Sequence, residues 1–142
     1  MGTLARVLAP LAALFLLAAT PILTAAATVS DVTYTVETLH FAVAVGPDGA
    51  QHCDIVGDLY TPSDADRAHL VPAILTTNGF GGSKDDQAGL AKYFASQDYV
   101  VLSYSGLGFG GSGCKITLDD PDWDGQAVRQ LVGFLGGQDG IA

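Results

Sequence analysis

VPAILTTNGFGGS, residues 71–83, is an apolar strand-like run followed directly by a glycine-rich loop. The pattern repeats in YVVLSYSGLGFGGSG, residues 99–113, and a helix-like stretch lies between the two. Strand, loop, helix, strand and loop in this order predict a βαβ unit, whose two loops emerge at the same, carboxyl edge of a parallel sheet. Glycine lets such loops turn with positive φ and lets a ligand approach their N–H groups closely. The sequence therefore predicts an α/β fold with a ligand site between two glycine-rich loops.

The segments before this unit predict an antiparallel hairpin. Residues 32–45 alternate and are rich in β-branched side chains, and residues 51–60 have the pattern of a second strand. Gly-Pro-Asp-Gly at residues 46–49 supplies turn chemistry between them. We expect this hairpin to open the sheet.

The later segments complete the predicted order of elements. A third strand is predicted at residues 71–77, a helix at 85–97, and a fourth strand at 99–104, whose apolar sequence is typical of burial on both faces. Asp-Pro at 120–121 has the pattern of an N-cap followed by proline at the first helical position, and Gly-Gly at 136–137 ends that helix.

The beginning of the chain predicts export. After Arg6 the sequence carries no charge from residue 7 to residue 30, and three alanines at 25–27 match the small-residue pattern of a signal-peptide cleavage site. We expect a secretory signal peptide at 1–27 and one domain at 28–142, in a protein that is secreted or held in the cell envelope. An uncleaved anchor is the alternative, because the apolar run is long enough to span a bilayer.

Charge and cysteine content limit partners and compartment. Fifteen Asp and Glu residues against six Lys and Arg residues give a net charge of −9. Such a chain repels nucleic acid and anionic membrane, so we expect no nucleic-acid partner, and membrane contact only through the leader if it stays uncleaved. The two cysteines, Cys53 and Cys114, form an even set, which in an exported protein indicates a disulfide.

Three motifs resemble the amino-terminal half of an α/β-hydrolase. Residues 78–83, Asn-Gly-Phe-Gly-Gly-Ser, resemble that fold's His-Gly-Phe-Gly-Gly-Ser loop after the third strand, and residues 105–112 resemble its Asp-x-Arg-Gly-x-Gly-x-Ser loop. Residues 58–62, Asp-Leu-Tyr-Thr-Pro, resemble the Asp-x-Tyr-x-Pro segment of X-prolyl dipeptidyl peptidases and cocaine-esterase-like acyl esterases. The resemblance covers most of residues 32–136.

The resemblance implies a serine hydrolase that cleaves ester or peptide bonds of small substrates without a cofactor or metal. It assigns the backbone N–H of Phe80 to the oxyanion hole and places Asn78, Gly79 and Gly81 in the loop beside the substrate. Asn78 stands where the loop usually has histidine. In the later loop, Ser105 and Leu107 stand where aspartate and arginine are usual, so its usual charge interactions are in doubt.

The nucleophile of that family is missing from the sequence. The family's serine lies on a Gly-x-Ser-x-Gly elbow after the next strand, with acid and histidine later still. No such pattern occurs here, because Asp85 breaks it after Ser83 and Cys114 breaks it after Ser112. We therefore expect an incomplete α/β-hydrolase sheet, a hairpin followed by βαβα, that is inactive alone. A small exported acidic binding module without catalytic activity is the alternative.

The resemblance also implies how the cysteines pair. In the α/β-hydrolase sheet the second and fourth strands are antiparallel neighbours. Cys53 lies near the start of the second strand and Cys114 lies beyond the end of the fourth, so both fall at the same end of adjacent strands. We expect a Cys53–Cys114 disulfide, and two buried free thiols are the alternative.

Other motifs have weaker functional interpretations. Residues 108–113 match the dinucleotide pattern G-x-G-x-x-G, yet a loop or strand rather than a helix is predicted after them. Residues 120–125 match the first half of an EF-hand loop, but its twelfth position is Leu131 instead of glutamate. The histidines, His40, His52 and His69, share no metal-ligand spacing with the cysteines. We expect no nucleotide site and no metal site.

Overall fold

The computed structural model describes residues 33–142. The predicted signal peptide at 1–27 and the start of the domain at residue 28 lie outside this part of the chain. All six expected elements appear, and five of them have bounds near those predicted. A short 3₁₀ helix precedes the first α-helix. In chain order the elements are β1 (Tyr34–Val45), β2 (Gln51–Pro62), β3 (Ala73–Thr77), a 3₁₀ helix (Lys84–Gln87), α1 (Ala88–Ala95), β4 (Val100–Tyr104) and α2 (Asp124–Gly136).

The strands form one mixed sheet in the order β1-β2-β4-β3. β1 and β2 are an antiparallel hairpin in which Val45 lies opposite Gln51. β2 also pairs antiparallel with β4, while β3 pairs parallel with β4. The parallel pair confirms the βαβ unit, and β3 and β4 therefore end at the same edge of the sheet.

Two apolar layers cover the faces of this sheet. On one face α2 packs through Ala127, Leu131 and Leu135 against the inward side chains of β1, β2 and β4. On the other face Ala91 and Ala95 of α1 pack against Tyr60 and Val101. All five residues of β4 are buried, as its apolar sequence predicts. Within residues 33–142 no helix is long and apolar enough to cross a membrane.

The predicted disulfide is present. Cys53 and Cys114 are bonded, with their Cα atoms 5.6 Å apart and a sequence separation of 61. The bond ties the loop after β4 to the beginning of β2. A disulfide indicates that the protein folds in an oxidising compartment.

Some element ends differ from the sequence prediction for identifiable reasons. β2 continues through Pro62 instead of stopping at residue 60, because its pairing with β1 extends to Pro62. Proline is tolerated there, since β4 pairs only with residues 57–60 of β2 and needs no N–H from Pro62. β3 begins at Ala73, since Val71 forms an isolated bridge with Ile141 instead of joining the ladder.

The start of α2 is a correction. Asp120 does not cap this helix, which begins at Asp124 with Trp123 at the N-cap position. The Asp120 side chain instead accepts the N–H of Asp122 at 2.9 Å, and its carbonyl accepts the N–H of Gly125 at 3.0 Å. These bonds hold residues 120–123 in a tight turn, so helical conformation starts one turn later than predicted.

Candidate functional site

A cleft of about 300 Å³ opens at the carboxyl ends of β3 and β4, where the two glycine-rich loops meet. This is the edge of an α/β sheet at which ligands bind. The cleft mixes aromatic, aliphatic and acidic groups, and no basic residue lines it. The lining residues are Thr77, Asn78, Gly79, Phe80, Tyr104, Gly106, Phe109, Thr117, Leu118, Asp119, Asp124 and Val128.

A tight turn shapes the first loop. The N–H of Gly82 donates to the carbonyl of Gly79 at 3.1 Å, which places Phe80 and Gly81 at the two central positions of a β-turn. Gly81 has φ +80°, the value that a type II turn requires at its third residue. No hydrogen bond among residues 33–142 uses the N–H of Phe80. The turn therefore leaves this donor available at the cleft.

Asn78 joins the two loops. Its Oδ1 accepts the N–H of Gly106 at 2.9 Å, and its Nδ2 donates to the carbonyl of Gly79 at 2.7 Å. Thr77 adds a second link, since its hydroxyl donates to the carbonyl of Tyr104 at 3.0 Å. The Asn78 amide and the Thr77 hydroxyl thus fix the end of β3 against the end of β4.

Two phenylalanines form one wall of the cleft. The rings of Phe80 and Phe109 meet edge to face with centroids 5.6 Å apart, although Phe80 is 80% exposed. Such an exposed ring at the mouth of a cleft offers apolar contact to a ligand. Tyr104 lines the floor, and burial raises the pKa of its hydroxyl, which therefore stays protonated at neutral pH.

Ser105 joins the loop after β4 to the 3₁₀ helix. Its hydroxyl oxygen accepts the N–H of Lys84 at 2.9 Å and donates to the carbonyl of Gly110 at 3.3 Å. Ser103 supports the same region, because its hydroxyl donates to the carbonyl of Lys84 at 2.7 Å. Neutral serines thus hold this region together.

The charge in this region is carried by a different pair. Lys84 Nζ lies 2.7 Å from Asp58 Oδ2, and Thr38 donates its hydroxyl to Asp58 Oδ1 at 2.6 Å. Only 10% of the Asp58 side chain and 17% of the Lys84 side chain are exposed. Hydrogen bonds to Asp58 and then Asp85 raise the pKa of Lys84. The pair fixes the 3₁₀ helix after the first loop onto β2.

Gly110 packs where no side chain fits. It has φ +48°, and a Cβ built there would lie 2.5 Å from both Ser105 Oγ and Ser83 Cβ. We expect Gly110→Ala to lower the free energy of unfolding by about 2–3 kcal/mol through strain and overpacking. Chemical denaturation measures the change. Gly79→Ala is the matched control, since Gly79 has ordinary φ and open space around it, and an equal loss in both variants would contradict the argument.

Neither serine of the glycine-rich loops is placed as a nucleophile. Ser83 caps the 3₁₀ helix in a capping box with Asp86. The Ser112 hydroxyl accepts the N–H of Val56 at 3.0 Å and donates to the carbonyl of Ser105 at 2.8 Å. Within residues 33–142 neither serine forms a hydrogen bond with a histidine, so the nucleophile–base pair that activates a serine is not formed by either.

The structure brings one histidine to two carboxylates that no sequence pattern connects. His69 Nε2 lies 2.7 Å from Asp98 Oδ2, and Asp64 lies close enough for the three to offer ligand atoms within 4.8 Å of one another. Asp64 and His69 are exposed, and Asp98 uses φ +69°. His69 and Asp98 have a sequence separation of 29 and lie in different loops, so no local sequence pattern predicts that they meet.

The glycine-rich and acidic motifs of the later loop are used structurally. The N–H of Gly113 donates to the carbonyl of Asp54 at 2.7 Å, and the N–H of Gly108 donates to the carbonyl of Gly113 at 2.9 Å. The helix that a dinucleotide fingerprint requires does not begin here, because α2 starts only at residue 124. The acidic segment 120–124 forms the turn before α2.

Comparison with solved structures identifies the architecture. An α/β hydrolase from a Penicillium species aligns with a TM-score of 0.58 and 18% identity, covering 76% of this chain and 34% of its own. A putative dipeptidyl aminopeptidase IV from Bacteroides ovatus gives 0.56 and 21%, covering 76% and 16%. An esterase from Pyrococcus furiosus gives 0.52 and 17%, covering 81% and 39%.

The chain thus spans about a third of the length of the first structures that it matches. A scan against protein-family models and a search of the curated proteins gave no match. The shared architecture, together with the strand order and the crossover between β3 and β4, shows that residues 33–142 form an incomplete α/β-hydrolase sheet, an antiparallel opening hairpin followed by β-α-β-α.

Proposed function

We propose that the chain is the amino-terminal portion of an exported serine hydrolase that cleaves ester or peptide bonds, of the X-prolyl dipeptidyl peptidase or cocaine-esterase-like type. The observation that carries this is the turn at residues 79–82, which holds the Phe80 N–H unbonded at the cleft. A backbone donor at this place stabilises the oxyanion that develops when an acyl group is attacked.

Asn78 fixes the donor loop against the loop after β4, so the Phe80 N–H is held by the end of the sheet. The Phe80 and Phe109 rings offer an apolar wall for an acyl or side-chain group. Among the structural neighbours are esterases and a dipeptidyl aminopeptidase.

The rest of the chemistry is assigned to residues beyond this chain. Along β3 one edge pairs with β4, and the other edge pairs with no strand within residues 33–142. An unpaired edge of this kind is a template for a further strand. We place the strand that carries the nucleophile elbow there, so that its serine would follow the first loop at the same carboxyl edge.

The test has two levels. The chain alone should hydrolyse an activated ester such as p-nitrophenyl acetate no faster than its Ser83→Ala/Ser112→Ala variant, and a fluorophosphonate probe should not label it. A longer protein, whose reading frame continues past Ala142 and contains an elbow serine, an acid and a histidine, should hydrolyse the ester and react with the probe. Turnover by the chain alone would show that it contains a nucleophile that was missed. A natural stop codon at this point would favour the binding-module alternative.

Phe80→Pro tests the oxyanion donor directly in the extended enzyme. Proline has no N–H, yet it is favoured at the second position of a type II turn, so the loop keeps its shape. We expect kcat to fall by about 10²–10³-fold, the effect of removing one oxyanion donor. Phe80→Ala keeps the N–H and removes only the ring, so it is the matched control. Equal kcat values for the two variants would contradict the assignment.

A further inference from the structure

The far edge of the sheet offers unpaired backbone groups. β1 borders β2 on one side only, at the end of the sheet opposite β3. At Ala44 the outward N–H donates to Gln130 Oε1 at 3.0 Å, and Gln130 Nε2 donates to the outward carbonyl at 2.8 Å. The side-chain amide of α2 thus binds one residue of β1 as a neighbouring strand would.

The next rungs of this edge continue the same pattern. In an antiparallel pair the backbone groups of successive residues point alternately toward and away from the partner strand. Since Ala44 points away from β2, the backbones of Ala42, His40 and Thr38 also point outward. Within residues 33–142 no hydrogen bond is made to these outward groups. Three consecutive rungs are therefore open to an extended chain.

An apolar cavity lies beside these rungs. It has a volume of about 410 Å³ and lies between residues 39–43 of β1 and Gln130, Leu131 and Phe134 of α2. Phe41 and Phe134 both line it, and their rings meet edge to face with centroids 4.9 Å apart. The strand backbone and the helix thus form the two sides of one groove, with room for a large side chain.

The negative charge near the groove favours a basic occupant. Glu37 lies on the same face of β1 as Leu39 and Phe41, because alternate residues of a strand share a face. It is exposed and forms no ion pair within residues 33–142. The whole chain carries a net charge of −9. A basic side chain next to the apolar one would therefore be favoured.

We propose that β1 and α2 form a peptide-binding groove, which takes an extended basic segment of a partner protein by β-strand addition. The partner's backbone pairs with residues 38, 40 and 42, a bulky apolar side chain enters the cavity, and a Lys or Arg on the same face lies beside Glu37. Main-chain bonds supply affinity and the cavity supplies specificity. The groove is at the opposite edge of the sheet from β3, so it is independent of the proposed hydrolase activity.

The probe is the fluorescently labelled peptide acetyl-Thr-Lys-Thr-Phe-Thr-Lys-Thr-amide. Phe and both Lys residues share one face, and the sequence reads the same in both strand directions. Reversing the strand turns the other set of alternate amides toward β1 while Phe keeps its face, so a second version carries N-methyl groups on all its amides. It should bind roughly tenfold or more weakly than the unmethylated peptide by fluorescence anisotropy. Equal affinities of the two would overturn strand addition.

Variants of the chain locate the site. Ala42→Pro removes one outward N–H, and an edge strand tolerates proline there. We expect it to abolish most of the binding, while Val36→Pro, in the same outward register but beyond the cavity, should bind like the unsubstituted chain. Circular dichroism melts verify that both fold. If both bind equally, or if both lose binding while still folded, the site is not this groove.

Hydrogen exchange identifies any competing occupant. In the full chain without peptide, the amides of residues 38, 40 and 42 should exchange rapidly, and the peptide should slow them. If these amides are already protected, the chain's own leader or a second copy fills the groove, and the proposal of a partner protein fails. Glu37→Lys should weaken the basic peptide and strengthen a version with Glu in place of both Lys residues. An unchanged preference would contradict the assigned charge role.

Discussion

Lys84→Met should lower the free energy of unfolding by about 3–5 kcal/mol, the usual result of removing one partner from a buried ion pair. The substitution keeps the length of the side chain and removes its charge. Asp58 then keeps the Thr38 hydroxyl as a partner but loses the ammonium group 2.7 Å away, with only 10% of its side chain exposed. Equilibrium denaturation in urea at neutral pH measures the loss.

Two controls separate the ion pair from other effects of the substitution. Lys92→Met removes an exposed lysine of α1, and we expect a change of less than about 0.5 kcal/mol. Asp58→Asn/Lys84→Met removes both charges, so it should cost clearly less than the sum of the two single variants. A Lys84→Met loss no larger than that of Lys92→Met would show that Asp58 does not depend on this cation.

The pair also makes a prediction about pH. Its hydrogen bond to Asp58 raises the pKa of Lys84 in the folded protein above the value in the unfolded chain. The folded state therefore holds the proton more tightly, and the resulting stability is fully present below the pKa of an unfolded lysine, about 10.4. It is lost as the pH rises through the raised folded value. Above about pH 10 the unsubstituted chain should lose stability more steeply than Lys84→Met.

The regular parts of this fold follow from local sequence signals. The alternation before and after residues 46–49 predicts the hairpin, and the apolar run at 99–104 predicts a strand buried on both faces. Both predictions are confirmed. They were possible from sequence because the alternation of a strand and the residues of a turn are set by a few neighbouring positions. The sequence also predicts the loop at 78–83 after the third strand, and in the structure this loop lines the cleft at the end of β3.

Contacts between residues far apart in the chain have no such local sequence signal. Asp58 and Lys84 are 26 positions apart, on a strand and a 3₁₀ helix, and only the crossover between β3 and β4 brings them together. The Asn78 amide illustrates the same limit, since its bond to Gly106 spans 28 positions. The cysteine pairing could be predicted across a separation of 61 because the chain has only two cysteines, and the strand order of the α/β-hydrolase sheet places both at the same end of adjacent strands.

Loss of the Cys53–Cys114 disulfide should destabilise the fold by about 4 kcal/mol. Cross-linking residues 61 positions apart restricts the unfolded chain, and the chain-entropy relation gives about this value for such a loop. Without the disulfide, the loop after β4 keeps the hydrogen bond from the Gly113 N–H to the Asp54 carbonyl of β2. Urea denaturation of the Cys53→Ala/Cys114→Ala variant, compared with the oxidised chain, measures the effect.

The conformation of Cys114 supplies the control for this experiment. It has φ +67°, a left-handed conformation that costs a non-glycine residue about 1–2 kcal/mol. Cys53→Ala/Cys114→Gly removes the same bond and relieves that strain, so it should be more stable than the double-alanine variant by about 1 kcal/mol. Both variants should nevertheless lie well below the oxidised chain. If Cys53→Ala/Cys114→Gly equals the oxidised chain in stability, the bond contributes nothing beyond offsetting the strain at Cys114, and the chain-entropy argument is wrong for this loop.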